Sequence, residues 1–237
     1  MSENYIAKNL AAVRAEMRAA EANAKRPEAA LIAAVKYATD EQLAALLAAG
    51  VTDVGENRVQ QLLAHLPIYE KTPVRVHFIG TLQKNKIKYI IDKVYAVHSV
   101  DSIALAKEID KHAQKRGICL RVYAEVNSGR EAAKSGVMPE EALALCREIT
   151  QLQGLSLQGL MTMAPRQERA EDYRRYFKET RELAGAIWQE LALDGEPLLS
   201  MGMSESFVPA ILEGAHSVRV GRRLFAGAPP QGEENTD

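Results

Sequence analysis

The feature that most constrains the fold is a repeated alternation of short apolar stretches with longer segments of helical pattern. Each apolar stretch has strand length, and the segment after it carries helix start signals or apolar residues at helical spacing. The stretches are residues 31–35, 53–55, 75–79, 95–98, 118–126, 157–161, 198–200 and 217–220. Eight successive βα units in 237 residues predict an α/β protein with one domain, a (β/α)8 TIM barrel. A doubly wound open sheet is the alternative, although no glycine-rich dinucleotide fingerprint follows any strand.

Both ends of the chain lie outside this repeat. Ile6, Leu10, Val13 and Met17 are spaced as the buried stripe of an amphipathic helix, so an extra helix is expected before the first strand. The last residues are rich in proline and acidic side chains, which is typical of disorder. The predicted organisation is a barrel over residues 1–228 and a disordered tail over residues 229–237.

Composition narrows the functional class. The formal net charge is −1, which argues against a nucleic-acid or anionic-membrane binder. The N-terminus carries charges throughout, and no apolar stretch reaches the roughly 18 residues of a membrane span. Cys119 and Cys146 form no metal or disulfide pattern, and we interpret His77 and His98 as hydrogen-bonded core histidines rather than metal ligands. We therefore expect a cytoplasmic monomer without a metal site.

In a TIM barrel the functional residues lie at the carboxyl ends of the strands. In this sequence, seven of the eight predicted strand ends carry a polar residue or a glycine, although the strands themselves are apolar. The strand-end residues are Lys36, Asn57, Gly80, Ser99, Asn127, Thr162, Met201 and Gly221. This edge of the barrel is therefore the predicted site.

The segment 198–225 has the features of a phosphate site. Gly202 permits a tight turn, and Ser204 is predicted to cap a helix that Pro209 keeps short or kinked. A second turn follows at Gly221 and Arg222, so two turns offer backbone N–H groups, a hydroxyl and positive charge to one anion. The alternative is an ordinary βαβ unit whose glycines only form turns.

Lys36 directly follows the first apolar strand. Its stem is expected to lie inside the barrel mouth, where desolvation favours the neutral amine that forms a Schiff base. A lysine at a strand end can also be an ordinary charge with its stem on apolar surface. An amine that binds carbonyls, opposite a phosphate site, points to pyridoxal 5′-phosphate (PLP) as the cofactor.

Short motifs at the strand ends extend this interpretation. They are residues 34–36 (AVK), 55–60 (GENRVQ), 77–86 (HFIGTLQKNK), 98–101 (HSVD), 126–136 (VNSGREAAKSG), 159–165 (GLMTMAP), 199–204 (LSMGMS) and 218–221 (VRVG). With these motifs the sequence resembles the pyridoxal phosphate homeostasis protein family, whose fold is like the N-terminal barrel domain of alanine racemase. The motifs span nearly the whole chain, and together they are specific.

The resemblance implies a role for each site residue. Lys36 would carry PLP as a Schiff base, Asn57 would lie beside its ring, and Arg219 would face the pyridine nitrogen. The residues implied to hold the phosphate are Ser200, Met201, Met203, Ser204, Gly221 and Arg222. In the family, a lysine matching Lys134 is associated with cofactor traffic; by itself it is a loop charge.

Three functions fit these observations. The first is intracellular PLP homeostasis without turnover, by storage, delivery to PLP-dependent apo-enzymes, or regulation. The second is a weak amino-acid racemase, which would need a second acid–base group; that family takes a tyrosine from another domain, and no tyrosine follows Tyr176 here. The third is an interaction module that has lost PLP, which the presence of Lys36 and Arg219 disfavours. An arginine only donates hydrogen bonds, so it would leave the ring nitrogen unprotonated and PLP a weak electron sink. We predict the first function.

Overall fold

The structure is a computed structural model, and it describes residues 4–25 and 28–227. The described residues form a closed barrel of eight parallel strands in sequence order, with the first strand paired to the last. The predicted (β/α)8 fold with an additional N-terminal helix is therefore confirmed. The predicted tail at 229–237, and the domain end at residue 228, lie outside the described residues.

The strands are β1 (Ala30–Ala34), β2 (Asp53–Glu56), β3 (Arg75–Phe78), β4 (Ala96–Val100), β5 (Leu120–Val126), β6 (Leu155–Thr162), β7 (Leu198–Met203) and β8 (Ser217–Val220). The helices are α1 (Asn4–Ala24), α2 (Asp40–Ala48), α3 (Val59–Tyr69), α4 (Ile87–Ile90), α5 (Ile103–Arg116), α6 (Ala142–Thr150), α7 (Arg174–Glu190) and α8 (Phe207–Leu212). Short 3-10 turns occur at Lys84–Lys86, Pro139–Glu141 and Ala170–Tyr173.

Local sequence signals explain several element ends. Thr39 accepts a hydrogen bond from the Gln42 backbone N–H, and the Gln42 side chain accepts one from the Thr39 backbone N–H, which is the predicted capping box of α2. The Ser102 hydroxyl caps α5 by accepting a hydrogen bond from the Leu105 backbone N–H, and Gly117 ends that helix in the left-handed conformation. These caps fix the residues at which α2 and α5 begin and at which α5 ends.

Helix α1 packs against α2 and α8. Its predicted stripe is buried, from Ile6 to Met17. The Asn9 side chain donates hydrogen bonds to the carbonyls of Leu224 and Ala226, which follow β8. The two ends of the barrel sequence are thereby held together.

The two faces of the sheet differ in chemistry. Outward residues such as Val54, Phe78 and Val122 belong to the large apolar cluster beneath the helices. Inside the barrel, a small apolar group formed by Ala96, Tyr123 and Met161 adjoins buried polar side chains. The buried polar residues on the inward positions are Asp53, His77, His98, Glu125, Ser200, Ser217 and Arg219. TIM barrel interiors are usually filled by branched apolar residues, so this polar interior is unusual.

The region after β7 differs from the prediction. Helix α8 begins at Phe207, not after Ser204, and it is only six residues long, as the early Pro209 suggested. Ser206 occupies the cap position, and its hydroxyl accepts a hydrogen bond from the Met203 backbone N–H. The Ser204 hydroxyl is therefore not used as a helix cap. Helix α7 likewise begins at Arg174 rather than near residue 168, because a 3-10 turn precedes it.

Candidate functional site

The turns after β7 and β8 meet at Ser204 and Gly221. The Gly221 backbone N–H donates a hydrogen bond to the Ser204 hydroxyl oxygen at 3.3 Å. A Cβ atom at Gly221 would lie 2.8 Å from the Ala34 carbonyl oxygen, so a larger residue would push β8 away from β1. The absence of a side chain at Gly221 thus brings the two turns against the end of β1.

Lys36 follows β1 by two residues and lies at the same edge. Its side chain is exposed, and its ammonium nitrogen is 4.5 Å from the ring centroid of Tyr37. A hydrogen bond with Lys36 lowers the pKa of the exposed Tyr37. The expectation that the lysine stem is enclosed by the mouth is wrong, because β1 ends at Ala34 and Lys36 and Tyr37 form a turn whose side chains are exposed.

Asn57 follows β2 beside the Lys36 turn. Strands β1 and β2 pair with Ala34 opposite Gly55, and the Val35 backbone N–H donates to the Gly55 carbonyl at 3.1 Å. Asn57 is half-buried, and its backbone carbonyl lies so close to Gly80 that a Cβ there would be 2.2 Å away. A rim cavity of about 290 Å³ opens next to it, lined by Asn57, Arg58, Val59, Gln60, Thr81, Gln83 and Lys86.

Met203 and Arg222 complete the rim. Met203 is half-buried at the end of β7, where it forms the tight turn with Ser206. Arg222 has a side chain that is 75% exposed, and its guanidinium lies 3.0 Å from a carboxylate oxygen of Glu205. The Arg222 charge is therefore next to the Ser204–Gly221 junction but partly balanced by Glu205.

Ser200 and Met201 lie away from the rim. Ser200 is fully buried inside the barrel, where its hydroxyl contacts His98 at 2.8 Å and Arg219 at 2.7 Å. The neighbouring Met201 points to the other face of the sheet and belongs to the core beneath the helices. The structure thus gives Ser200 protein partners and places the Met201 side chain outside the barrel.

Arg219 lies inside the barrel, two residues before Gly221 on β8. It donates one hydrogen bond to Ser200 and a second, at 2.9 Å, to the Thr162 carbonyl. Burial lowers the pKa of Arg219 to about 10, while the negative charge of Glu125 acts to raise it. The guanidinium remains a cation near neutral pH and has no capacity to accept a hydrogen bond.

The sequence interpretation missed Glu125. This residue occupies an inward position of β5 and is only 3% exposed. Burial, reinforced by the negative charge of Asp101, raises the pKa of Glu125 to about 7, while Arg219 acts in the opposite direction. The signal available in the sequence was a carboxylate at an inward position of a buried strand.

The loop after β5 is fixed by Asn127. Its side-chain amide donates to the Glu131 carbonyl at 2.8 Å, and its side-chain oxygen accepts from the Glu131 backbone N–H at 3.2 Å. Lys134 is exposed and forms an ion pair with Glu131. The structure therefore places Lys134 in a loop ion pair, and its predicted role in cofactor traffic remains a prediction.

The structure brings most of the predicted residues to one edge of the barrel. Those at the rim are Lys36, Asn57, Met203, Ser204, Gly221 and Arg222, while Ser200 and Arg219 lie inside the barrel. No cluster of potential metal ligands occurs among residues 4–25 and 28–227. Within those same ranges no helix has the length and apolarity to cross a membrane.

The fold and the site define a class: a (β/α)8 barrel with a lysine and two hydrogen-bonded turns at the carboxyl ends of its strands. Comparison with known proteins gives the family. Residues 8–229 match the family model of the alanine racemase N-terminal domain. A pyridoxal phosphate homeostasis protein of Aquifex aeolicus is 42% identical over 197 residues, covering 83% of this chain and 86% of that protein. The protein of the same name from Pseudomonas aeruginosa is 38% identical, covering 94% and 98%.

A solved structure agrees with these matches. PipY of Synechococcus elongatus, described as having PLP bound, superposes with a TM-score of 0.82 at 31% identity, covering 93% of this chain and 99% of PipY. The chain therefore belongs to the alanine racemase N-terminal domain family and, within it, to the pyridoxal phosphate homeostasis proteins. The resemblance predicted from the sequence motifs is confirmed.

Proposed function

We propose that this protein binds PLP at the barrel mouth, bonded to Lys36, and takes part in intracellular PLP homeostasis without catalytic turnover. The observation that carries the proposal is the position of the Ser204–Gly221 junction against Ala34, two residues before Lys36. The proposed phosphate site thus lies against the end of the strand that leads to the Lys36 amine. The names of the relatives and the PLP bound to PipY support the same cofactor.

The residues present fit the phosphate of PLP. In the described part of the chain, the Ser204 hydroxyl accepts from Gly221 and has no acceptor of its own, so its hydrogen is available to an anion. Gly221 has no side chain, so the junction lies directly against the Ala34 carbonyl. Arg222 adds a cation nearby. A hydroxyl donor and a nearby arginine are groups that bind phosphate.

Each rim residue then has a defined task. When bound, PLP supplies an aldehyde that bonds reversibly to amines and a ring that can withdraw electrons. Lys36 supplies the amine, and its exposure allows an incoming amine to reach the same position. Asn57 borders the ring, and the Met203–Ser204 turn with Gly221 and Arg222 holds the phosphate. Exposure at Lys36 suits a protein that releases its cofactor.

Arg219 favours binding over turnover. Its guanidinium only donates, and in our proposal it faces the pyridine nitrogen, which stays unprotonated. An unprotonated ring is a weak electron sink, so carbanion chemistry of the racemase type is not promoted. We further propose that the protein acts in the cytoplasm as a monomer and passes PLP to apo-enzymes.

The experiment that tests the proposal is reductive trapping with borohydride followed by peptide mapping. Wild type incubated with PLP is expected to carry the reduced adduct on Lys36, and Lys36→Ala is expected to carry none there. Lys86→Ala is the matched control, because Lys86 lines the adjacent rim cavity, and it should trap as much PLP as wild type. Equal trapping by Lys36→Ala and wild type would contradict the assignment. Racemisation assays across the amino acids test the absence of turnover.

A further inference from the structure

A continuous chain of hydrogen bonds crosses the barrel interior from β2 to β8. A carboxylate oxygen of Asp53 lies 2.9 Å from Nε2 of His77, whose Nδ1 lies 2.9 Å from Nε2 of His98. Nδ1 of His98 lies 2.8 Å from the Ser200 hydroxyl, which lies 2.7 Å from a guanidinium nitrogen of Arg219. Every member is at most 5% exposed, so water does not complete these bonds from outside. Five strands each contribute one side chain to this chain of hydrogen bonds.

The residues at the two ends of the hydrogen-bond chain, Arg219 and Asp53, fix the direction in which its hydrogen bonds point. At one end, Arg219 can only donate, so Ser200 accepts on that side. At the other end, burial would raise the pKa of Asp53, but hydrogen bonds from His77, Arg75 and Thr52 prevail and lower it to about 2. Asp53 is therefore an ionised carboxylate near neutral pH and can only accept. Hydrogen bonds must point from the arginine end toward the aspartate end.

The hydrogens between these ends can be counted. Three contacts separate Asp53 from Ser200, and three hydrogens are available: one hydroxyl hydrogen and one on each neutral imidazole. His77 must use its hydrogen, on Nε2, toward Asp53, which leaves its Nδ1 to accept from Nε2–H of His98. Nδ1 of His98 then accepts from the Ser200 hydroxyl. Each of the three contacts has its own hydrogen only when the single ring hydrogen of each histidine is on Nε2.

The surroundings favour this neutral arrangement. His98 is fully buried and stacks on Tyr123 with ring centroids 4.2 Å apart. Burial, reinforced by the positive charge of Arg219, lowers the pKa of His98 well below its ordinary value, and a proton on the neighbouring His77 would lower it further. A second hydrogen on His98 would leave the Ser200 hydroxyl hydrogen without an acceptor in a buried position, which is costly. The directed arrangement gives an acceptor to every ring and hydroxyl hydrogen between Asp53 and Ser200.

We propose that Asp53, His77, His98 and Ser200 form a relay of fixed polarity that positions Arg219 beneath the mouth site. Ser200 holds one terminal nitrogen of the guanidinium and the Thr162 carbonyl holds the other terminal nitrogen, so Arg219 has one orientation. The relay rests on the proposed function only in that Arg219 faces the cofactor. Ser200 then acts through Arg219 rather than as a phosphate ligand.

The first test needs neither a variant nor a cofactor. In ligand-free, ¹⁵N-labelled wild type at pH 7, correlations between ring nitrogens and ring carbon protons report the tautomer of each histidine. Both His77 and His98 are expected to be neutral and protonated on Nε2. A hydrogen on Nδ1 of either ring would overturn the relay.

The second test compares two buried serines on neighbouring strands. Ser200→Ala removes the relay hydroxyl, whereas Ser217→Ala removes a buried hydroxyl that lies opposite Ser200 and has no hydrogen-bond partner in the described part of the chain. In ligand-free protein, the guanidinium hydrogens of Arg219 should exchange about tenfold faster in Ser200→Ala, which corresponds to one lost hydrogen bond. Ser217→Ala should match wild type. Equal exchange in the two variants would overturn the positioning role.

The third test separates this inference from the proposed function. The dissociation constant for PLP should rise about tenfold in Ser200→Ala, on the same hydrogen-bond estimate, and stay unchanged in Ser217→Ala. If wild type does not bind PLP, the proposed function fails, and the relay is decided by the tautomers and the Arg219 exchange alone. If wild type binds PLP and both variants bind equally well, the coupling of the relay to the cofactor is refuted.

Discussion

The hydroxyl oxygen of Ser204 lies 3.3 Å from the backbone nitrogen of Gly221, and this contact joins the turn after β7 to the turn after β8. Because β8 also pairs with β1, the same contact brings the chain segment before Lys36 to the junction. Residues 17 positions apart thus form one corner of the rim, next to the end of β1, and we propose that this corner binds the phosphate. The predictions for Ser204 and Arg222 test whether this corner binds the phosphate of PLP or another part of the cofactor.

Ser204→Ala should weaken the binding of PLP about tenfold, because the variant loses one hydrogen bond to a charged group, worth about 1.5 kcal/mol. The measurement is a fluorescence titration with PLP and, in parallel, with pyridoxal, which lacks the phosphate. Affinity for pyridoxal should not change. An equal loss for both ligands would show that Ser204 acts on the fold of the mouth rather than on the phosphate.

Arg222→Ala should weaken PLP binding by about threefold, and the difference from wild type should shrink as salt is added, because an exposed cation is screened. The control is Arg223→Ala, which removes the next arginine in the chain. Arg223 pairs instead with Glu16 of α1 and lies over the Phe207 ring. Titrations in low and high salt check the prediction, and equal effects of the two variants would assign Arg222 to general surface charge.

Gly202→Ala should destabilise the protein by about 2–4 kcal/mol, since strain at a positive φ adds to overpacking. Gly202 has φ +93°, and its added Cβ would lie 2.5 Å from Cβ of Ala210 in α8. Gly185→Ala is the matched control: Gly185 lies in α7, an added Cβ there would meet no neighbouring atom within 4 Å, and the variant should be more stable by about 0.5–1 kcal/mol because helix propensity improves. Urea unfolding of both variants measures the difference. A neutral Gly202→Ala would show that α8 can shift freely.

The strand and helix order was predictable because each βα unit carries its own local signals. Thr39 and Gln42 mark a helix start within three residues, and Gly117 marks a helix end, whatever lies elsewhere in the chain. The start of α8 was not predictable, because Ser204 and Ser206 are equally good caps by residue type. Only the contact between Ser204 and Gly221, from another unit, decides between them.

The positions of candidate residues at the rim were predictable where a strand end fixes them, as for Lys36 and Gly221, although the exposure of the Lys36 side chain was not. The hydrogen-bond contacts inside the barrel were less predictable. The alternation along β7 puts Ser200 inside and Met201 outside, but the hydroxyl has many possible partners, and only the closed sheet brings His98 and Arg219 to it. His77 and His98 were predicted as hydrogen-bonded core residues, which is confirmed. Their partners depend on strands far apart in sequence.

Glu125→Gln should make the stability of the ligand-free protein less sensitive to pH between about 4 and 8. Burial raises the pKa of Glu125 to about 7, from an ordinary value of 4.5. A raised pKa means that the contribution to stability is complete below about pH 4.5 and is lost as pH rises through about 7. The free energy of unfolding of wild type, relative to Glu125→Gln, should therefore fall by up to about 3 kcal/mol over this range. Urea unfolding of the two proteins at several pH values measures the difference.

Asp101→Asn provides a second check, because removing that negative charge should shift the wild-type transition to lower pH. A constant difference between wild type and Glu125→Gln from pH 4 to pH 8 would mean that Glu125 ionises normally and that Arg219 compensates its burial.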